Sequence, residues 1–165
     1  MLLKDSFIGE LKHEASLTKK ILERVPWDKK DWKPHTKSMT LGRLATHIAE
    51  TNRWITEILS ADEFDFASRP FKSYTASTLE ELIKIFKDNV ETALDALSKA
   101  TDEEFDKKWS IKRGGQVMME PVKKVAIRGW GFSHTYHHRG QLTVFLRLLD
   151  IPVPGMYGPT ADERL

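Results

Sequence analysis

The intervals at which apolar residues recur constrain this chain more than any other feature. Leu79, Leu82, Ile83, Phe86, Val90, Ala93, Leu94 and Leu97 recur with a helical period, each having another of the set three or four residues away. On a helix they fall within about 120° of arc, the stripe that a bundle helix buries. Thr78 stands three residues ahead of Glu81, the spacing at which both side chains satisfy free backbone N–H groups and open a helix. The same period runs through residues 2–25, where Leu3, Phe7, Leu11, Ile21, Leu22 and Val25 lie near one face until Pro26 stops the pattern. A second helix starts within residues 38–41, turns Leu41, Leu44, Ala45, Ile48, Ile55 and Leu59 inward, and fades at Ser60. A last one runs over 121–149, with Pro121 suited to its first turn.

The segments between are punctuated. Residues 27–37 form a polar link containing Pro34, and residues 61–77, which hold Pro70, read as a long connection. Trp109 to Met118 alternates weakly around Gly114-Gly115, as a small hairpin does. The tail from Ile151 is rich in proline and glycine, and Val153, Met156 and Tyr157 are expected to pack it down. The expectation is an all-α fold. Residues 1–165 form a single domain, a four-helix bundle with a long crossover connection and a small hairpin before the last helix.

Composition removes several functions. Lys and Arg number 26 against 24 Asp and Glu, a formal net charge of +2, too even for a sequence-independent grip on phosphates, so no nucleic-acid partner is expected. There is no cysteine, which excludes disulfides, zinc ribbons, iron–sulfur clusters and a cysteine nucleophile. The N-terminus lacks the apolar core of a signal peptide, and no apolar run approaches the roughly 20 residues of a bilayer span. A cytoplasmic protein with no membrane partner is the expectation.

What remains for metal or acid–base chemistry is histidine. The last helix carries His134-Thr-Tyr-His137-His138-Arg139-Gly140-Gln141. At about 100° per residue, His134 and His138 project about 40° apart and one turn apart along the axis, the spacing of helical zinc sites. His137 points away from the pair. Ile127 and Phe145 flank that face, with Leu148 nearby, so the pair projects toward apolar surroundings. A third ligand would have to come from another element. His47 is the candidate, about 80° from the centre of the second helix's apolar stripe and on the side of Thr51 and Trp54. Without such a partner, the pair reads as one satisfied core histidine beside a surface one. His13 lies on a polar face and His35 in a link, and neither has a claim on an ion.

The stretch Lys37-Ser-Met-Thr-Leu-Gly-Arg-Leu-Ala-Thr-His47-Ile-Ala-Glu50, the downstream H-x-x-H-H-R-G-Q block and the ending Ile151-Pro-Val-Pro-Gly-Met-Tyr-Gly-Pro-Thr-Ala-Asp162-Glu resemble the DinB/YfiT-like family over the whole chain. The resemblance implies a four-helix bundle, a homodimer, and a divalent metal ion (zinc, nickel, iron or manganese) on His47, His134 and His138. It also implies a superfamily that includes thiol-dependent transferases and isomerases using low-molecular-weight thiols. Three imidazoles leave a tetrahedral ion one open position, as in catalytic sites. The expected function is therefore a metal-dependent enzyme of thiol-dependent S-transferase type acting on a small-molecule substrate. A metal-dependent hydrolase is the second reading, and a non-catalytic stress-response metal-binding bundle acting as a dimer is the third.

Neighbouring residues carry two readings each. Glu50, one turn past His47, is a proton acceptor or an orienting partner for an imidazole, or else a solvated glutamate. Trp54 and Trp130 wall an aromatic pocket or belong to the core. Gln141 lines the pocket or bonds a neighbouring helix, Gly140 marks close helix packing or a backbone that needs room, and Arg139 faces outward or pairs at an interface.

Overall fold

The computed structural model describes residues 2–69 and 73–164. The first stripe folds as α1 (Leu3–Leu22) and buries Phe7, Leu11, Ile21 and Leu22. After Pro26 a 3-10 turn, Trp27–Lys29, hands the chain to the polar link. Helix α2 (Leu41–Thr51) begins where the Thr40 hydroxyl accepts the Arg43 N–H at 3.2 Å. The single helix expected to continue to Ser60 is instead two, because α3 (Arg53–Ser60) is separated from α2 by Asn52. The Thr51 hydroxyl turns back on the Ile48 carbonyl at 2.8 Å and meets the Thr135 hydroxyl at 2.6 Å. A hydroxyl bonded back to its own helix competes with the ladder and bends it.

The connection after Ser60 holds a strand, β1 (Glu63–Asp65), that no period reveals. Pro70 lies outside the described residues. Helix α4 (Leu79–Lys99) starts as its capping spacing predicts, Thr78 Oγ1 accepting the Glu81 N–H at 3.1 Å. The Glu81 carboxylate reaches back to the Ser77 N–H at 2.6 Å. Thr101 repeats the arrangement with the Glu104 N–H at 3.3 Å and opens the short α5 (Asp102–Asp106). The hairpin forms as β2 (Ser110–Arg113) and β3 (Gln116–Met119), and its two turn glycines both take positive φ. That left-handed backbone matches the twist of the strands, and glycine adopts it without strain.

Strand β1 pairs with β2 in parallel, giving a three-stranded sheet in the order β1-β2-β3. The Asp65 carboxylate fixes β1 to the turn by accepting the N–H groups of Gly114 and Gly115 at 2.9 and 2.8 Å. The expectation of an all-α four-helix bundle is thereby corrected: the fold is mostly helical with a small sheet, and it adds short helices to the long ones. The reason is length. Three residues of strand leave no alternation to read, and the partner strand is far along the chain.

The last helical run comprises α6 (Lys123–Ala126), a π-helical stretch Ile127–Ser133 and α7 (His134–Leu148). Pro121 precedes its cap instead of entering the first turn, and its carbonyl accepts the Trp109 N–H at 2.8 Å. The π stretch passes close to α3: a methyl group built on buried Gly131 would meet Ile55 Cγ1 at 2.7 Å. Gly140, where close packing was expected, is exposed and has nothing within 4 Å of such a methyl.

Helix α4 packs on α1, α2 and α3, and α2 packs on α7. Two apolar clusters fill the bundle, one around Phe7, Trp54, Phe105, Trp109 and Phe132, which includes Phe64 and Ile111 of the sheet, and one around Ile21, Leu44, Ile48, Phe86, Leu142 and Leu146. In the tail Val153 is buried and Met156 half-buried as expected, while Tyr157 stays 67% exposed. No helix among the described residues is long and apolar enough to cross a membrane.

Candidate metal centre

Helix α2 presents His47 to α7, which presents His134 and His138 from successive turns. One ring nitrogen from each of the three can be chosen so that all lie within 4.8 Å of one another. His47 Nε2 and His134 Nε2 are 3.1 Å apart. The rings meet at steep angles, with centroids 4.9, 4.5 and 4.7 Å apart for the pairs 47–134, 47–138 and 134–138. Directly beside the cluster, the buried Thr51–Thr135 hydroxyl contact ties α2 to α7. That contact and the apolar packing of both helices set the distance across which the imidazoles face each other.

Burial governs the protonation of all three. It lowers the pKa of His47 to about 3, with the His138, His134 and Arg43 charges adding to the effect. Burial is also the leading cause of the downward shifts of His134 and His138. For His134 the backbone at Trp130, one turn back, offsets the shift in part, and for His138 Gln141 does so. The rings are therefore neutral at ordinary pH, the state in which imidazole ligates. Their donor chemistry fits a divalent cation of the zinc, nickel or iron kind, because these accept imidazole nitrogen readily.

Arg43, which the sequence reading passed over, stands at this site. Its guanidinium grips Glu50 Oε2 from both terminal nitrogens, at 3.1 and 3.2 Å, and Nη2 lies 3.5 Å from His47 Nδ1. Arg43, His47 and Glu50 share the i, i+4, i+7 spacing of one helix face, a signal that pairs the two charges across the histidine. Glu50 is thus paired with Arg43 on the helix face that carries His47.

The remaining candidates divide cleanly. Trp54 is core, 7% exposed, and Trp130 bridges it to the site, 5.0 Å from Trp54 and 6.3 Å from His134 between ring centroids. The core reading holds for Trp54, and Trp130 packs against the same core at its edge. Ile127 is buried and Phe145 half-buried, but Leu148 is 58% exposed. Gln141 is exposed and bonds within its own helix, to His138 and His137, not to a neighbouring helix. Arg139, expected at the surface or an interface, is buried against Glu14. His13 and His35 are exposed and outside the cluster.

Beside Gln141 a groove of about 410 Å³ runs past Phe145, Leu44 and Met39 to Lys37. A wider recess of about 540 Å³ between α3 and α4, lined by Thr56 and Asp95, contains no histidine.

Comparison with known proteins agrees with this architecture. The uncharacterized protein YrdA of Bacillus subtilis (strain 168) is 26% identical over 159 residues, 96% of this chain and 90% of that protein. A DinB-like protein from Bacillus cereus ATCC 10987 superposes with a TM-score of 0.73 at 22% identity, covering 93% of this chain and 97% of its own. The DinB-like protein YjoA from Bacillus subtilis gives 0.71 at 17% identity, covering 96% and 99%. At those identities the two structures speak for the fold alone. The DinB family model, however, matches residues 1–164, and the chain belongs to the DinB family.

Proposed function

We propose that this chain is a divalent-metal-binding protein whose three-histidine centre serves a metal-dependent enzyme of the thiol-dependent S-transferase type. The observation that carries the reading is the convergence of His47, His134 and His138 from two helices, three neutral nitrogen donors within 4.8 Å. A divalent cation held by them would supply Lewis-acid activation of a small nucleophile. The chain's own residues prepare that role. Burial keeps the imidazoles uncharged, and the Thr51–Thr135 contact holds the two helices in place.

Glu50 decides between nucleophiles. Water must surrender a proton to react, and the carboxylate one turn from His47 is already held by Arg43. A divalent cation would ease proton loss from either nucleophile, and a thiol, which already ionises at about pH 8.5 before any metal acts on it, asks less of a base than water does. The chain has no cysteine, so the thiol arrives from solution, and the groove beside Gln141 gives an electrophile room. A homodimer completes the reading, and sedimentation at micromolar concentration tests it.

The function is tested by incubating zinc-loaded protein with a low-molecular-weight thiol and a chromogenic electrophile. Conjugation that disappears on stripping the metal and in His134→Ala is the expected result. Turnover of an ester or amide panel without thiol would establish the hydrolase instead. Bound metal with neither activity would leave a non-catalytic metal-binding bundle, and failure to take up any metal would overturn all three.

A further inference from the structure

Gln141 follows His138 by three residues and His137 by four, so on α7 its side chain lies over both. Its carbonyl oxygen Oε1 is 2.7 Å from His138 Nδ1, and its amide Nε2 is 3.1 Å from His137 Nε2. An amide oxygen only accepts and an amide NH2 only donates. Oε1 against Nδ1 therefore requires the His138 proton to sit on Nδ1, which leaves Nε2 with its lone pair. At the other end, the NH2 donates to a His137 Nε2 that carries no proton. Turning the amide over would place a donor against His138 Nδ1 and move that ring's proton to Nε2, the nitrogen the ring needs for ligation.

The other two cluster histidines are arranged differently. His134 Nδ1 is buried without a side-chain partner, and His47 Nδ1 has Arg43 at 3.5 Å. His138 is the one of the three whose outer nitrogen is held by a neutral side-chain acceptor.

We propose that Gln141, anchored by His137, is a positioning residue that locks His138 in its Nδ1–H tautomer and so keeps Nε2 available for a metal ion. His137 acts through Gln141 and is not a fourth ligand. The inference rests on the reading of the cluster as a metal centre, but its first consequence concerns the metal-free protein. Partners that orient a ligating imidazole are typically worth about 10–100-fold in metal affinity. Gln141 is exposed, so its replacement leaves the core intact.

Two measurements test the lock. Long-range proton–nitrogen NMR correlations on the metal-free protein are expected to show His138 as the Nδ1–H tautomer, giving way to a mixture in Gln141→Leu. Competition with a chromogenic chelator is expected to show zinc binding about 10–100-fold weaker in Gln141→Leu at unchanged stoichiometry. Gln141→Glu keeps the acceptor and is expected to restore affinity to wild type or better, and His137→Leu to fall between Gln141→Leu and wild type. Unchanged zinc affinity and tautomer in Gln141→Leu would overturn the lock, as would a loss that Gln141→Glu fails to rescue. If the wild type takes up no zinc, the metal reading fails, and the NMR result alone decides the lock.

Discussion

Two polar clusters meet α7 from different sides, and they are built on opposite principles. Toward α1, Arg139 is 3% exposed and donates to the Glu14 carboxylate at 2.7 Å, to Thr18 Oγ1 at 3.0 Å, to the Glu14 carbonyl at 3.3 Å and to the Tyr157 hydroxyl. Tyr157 in turn donates to Glu14 at 2.8 Å. Both terminal nitrogens of the guanidinium have acceptors, and the charge has its counterion. Toward α2, three imidazoles crowd together with no carboxylate in the cluster, and His138 and His134 both lower the tendency of His47 to take a proton. The first cluster is complete as it stands. The second turns like groups toward one another, with His47 Nε2 and His134 Nε2 3.1 Å apart, an arrangement that one added cation would satisfy together. A buried charge beside its counterion is architecture, and like groups gathered around one point with no counterion among them suit a cation.

The largest expected effect breaks the first cluster. Arg139→Ala strands Glu14 in the interior, and loss of one partner of a buried pair costs about 3–5 kcal/mol, which denaturant melts should show with zinc stoichiometry of the folded protein unchanged. His134→Ala should do the reverse. Wild type at zinc concentrations 100-fold above its dissociation constant gains about 2.7 kcal/mol, and that gain should vanish in the variant while the metal-free melts of the two differ far less.

Acid sharpens the contrast. His47 has its folded pKa near 3 against an ordinary 6.5, so between these values the unfolded chain binds a proton that the folded one refuses. Stability of the metal-free protein should be flat in this respect above pH 6.5 and fall as pH drops from 6.5 toward 3. His47→Leu should remove that part of the slope, as melts across this range would show. The smallest effect is expected of His13→Ala, an exposed site, with stability within about 0.5 kcal/mol of wild type and zinc affinity unchanged.

The legibility of the two clusters differed for a physical reason. His134 and His138 share one helix, and helical period alone brings them together. His47 is reached through the stripe that defines the second helix. Arg139 follows His138 directly in sequence, so period shows that it points elsewhere, but nothing local shows that Glu14 and Tyr157 wait there from opposite ends of the chain. Strand β1 escaped for the same reason, since it exists through its pairing with β2, whereas the β2–β3 hairpin was legible from its Gly114-Gly115 turn. Gly131 and Gly140 show the limit from another side: both interrupt one helical run, and only Ile55, brought by α3, distinguishes the glycine that close approach requires from the one it does not. Arg43 was legible, lying four residues before His47 and seven before Glu50.

Calorimetric titration of metal-stripped protein with zinc at neutral pH tests the central claim most directly. One site per chain is the predicted result, abolished in each of His47→Ala, His134→Ala and His138→Ala and retained in His13→Ala and His35→Ala. No uptake by the wild type, or uptake that survives the loss of any of the first three, would contradict it.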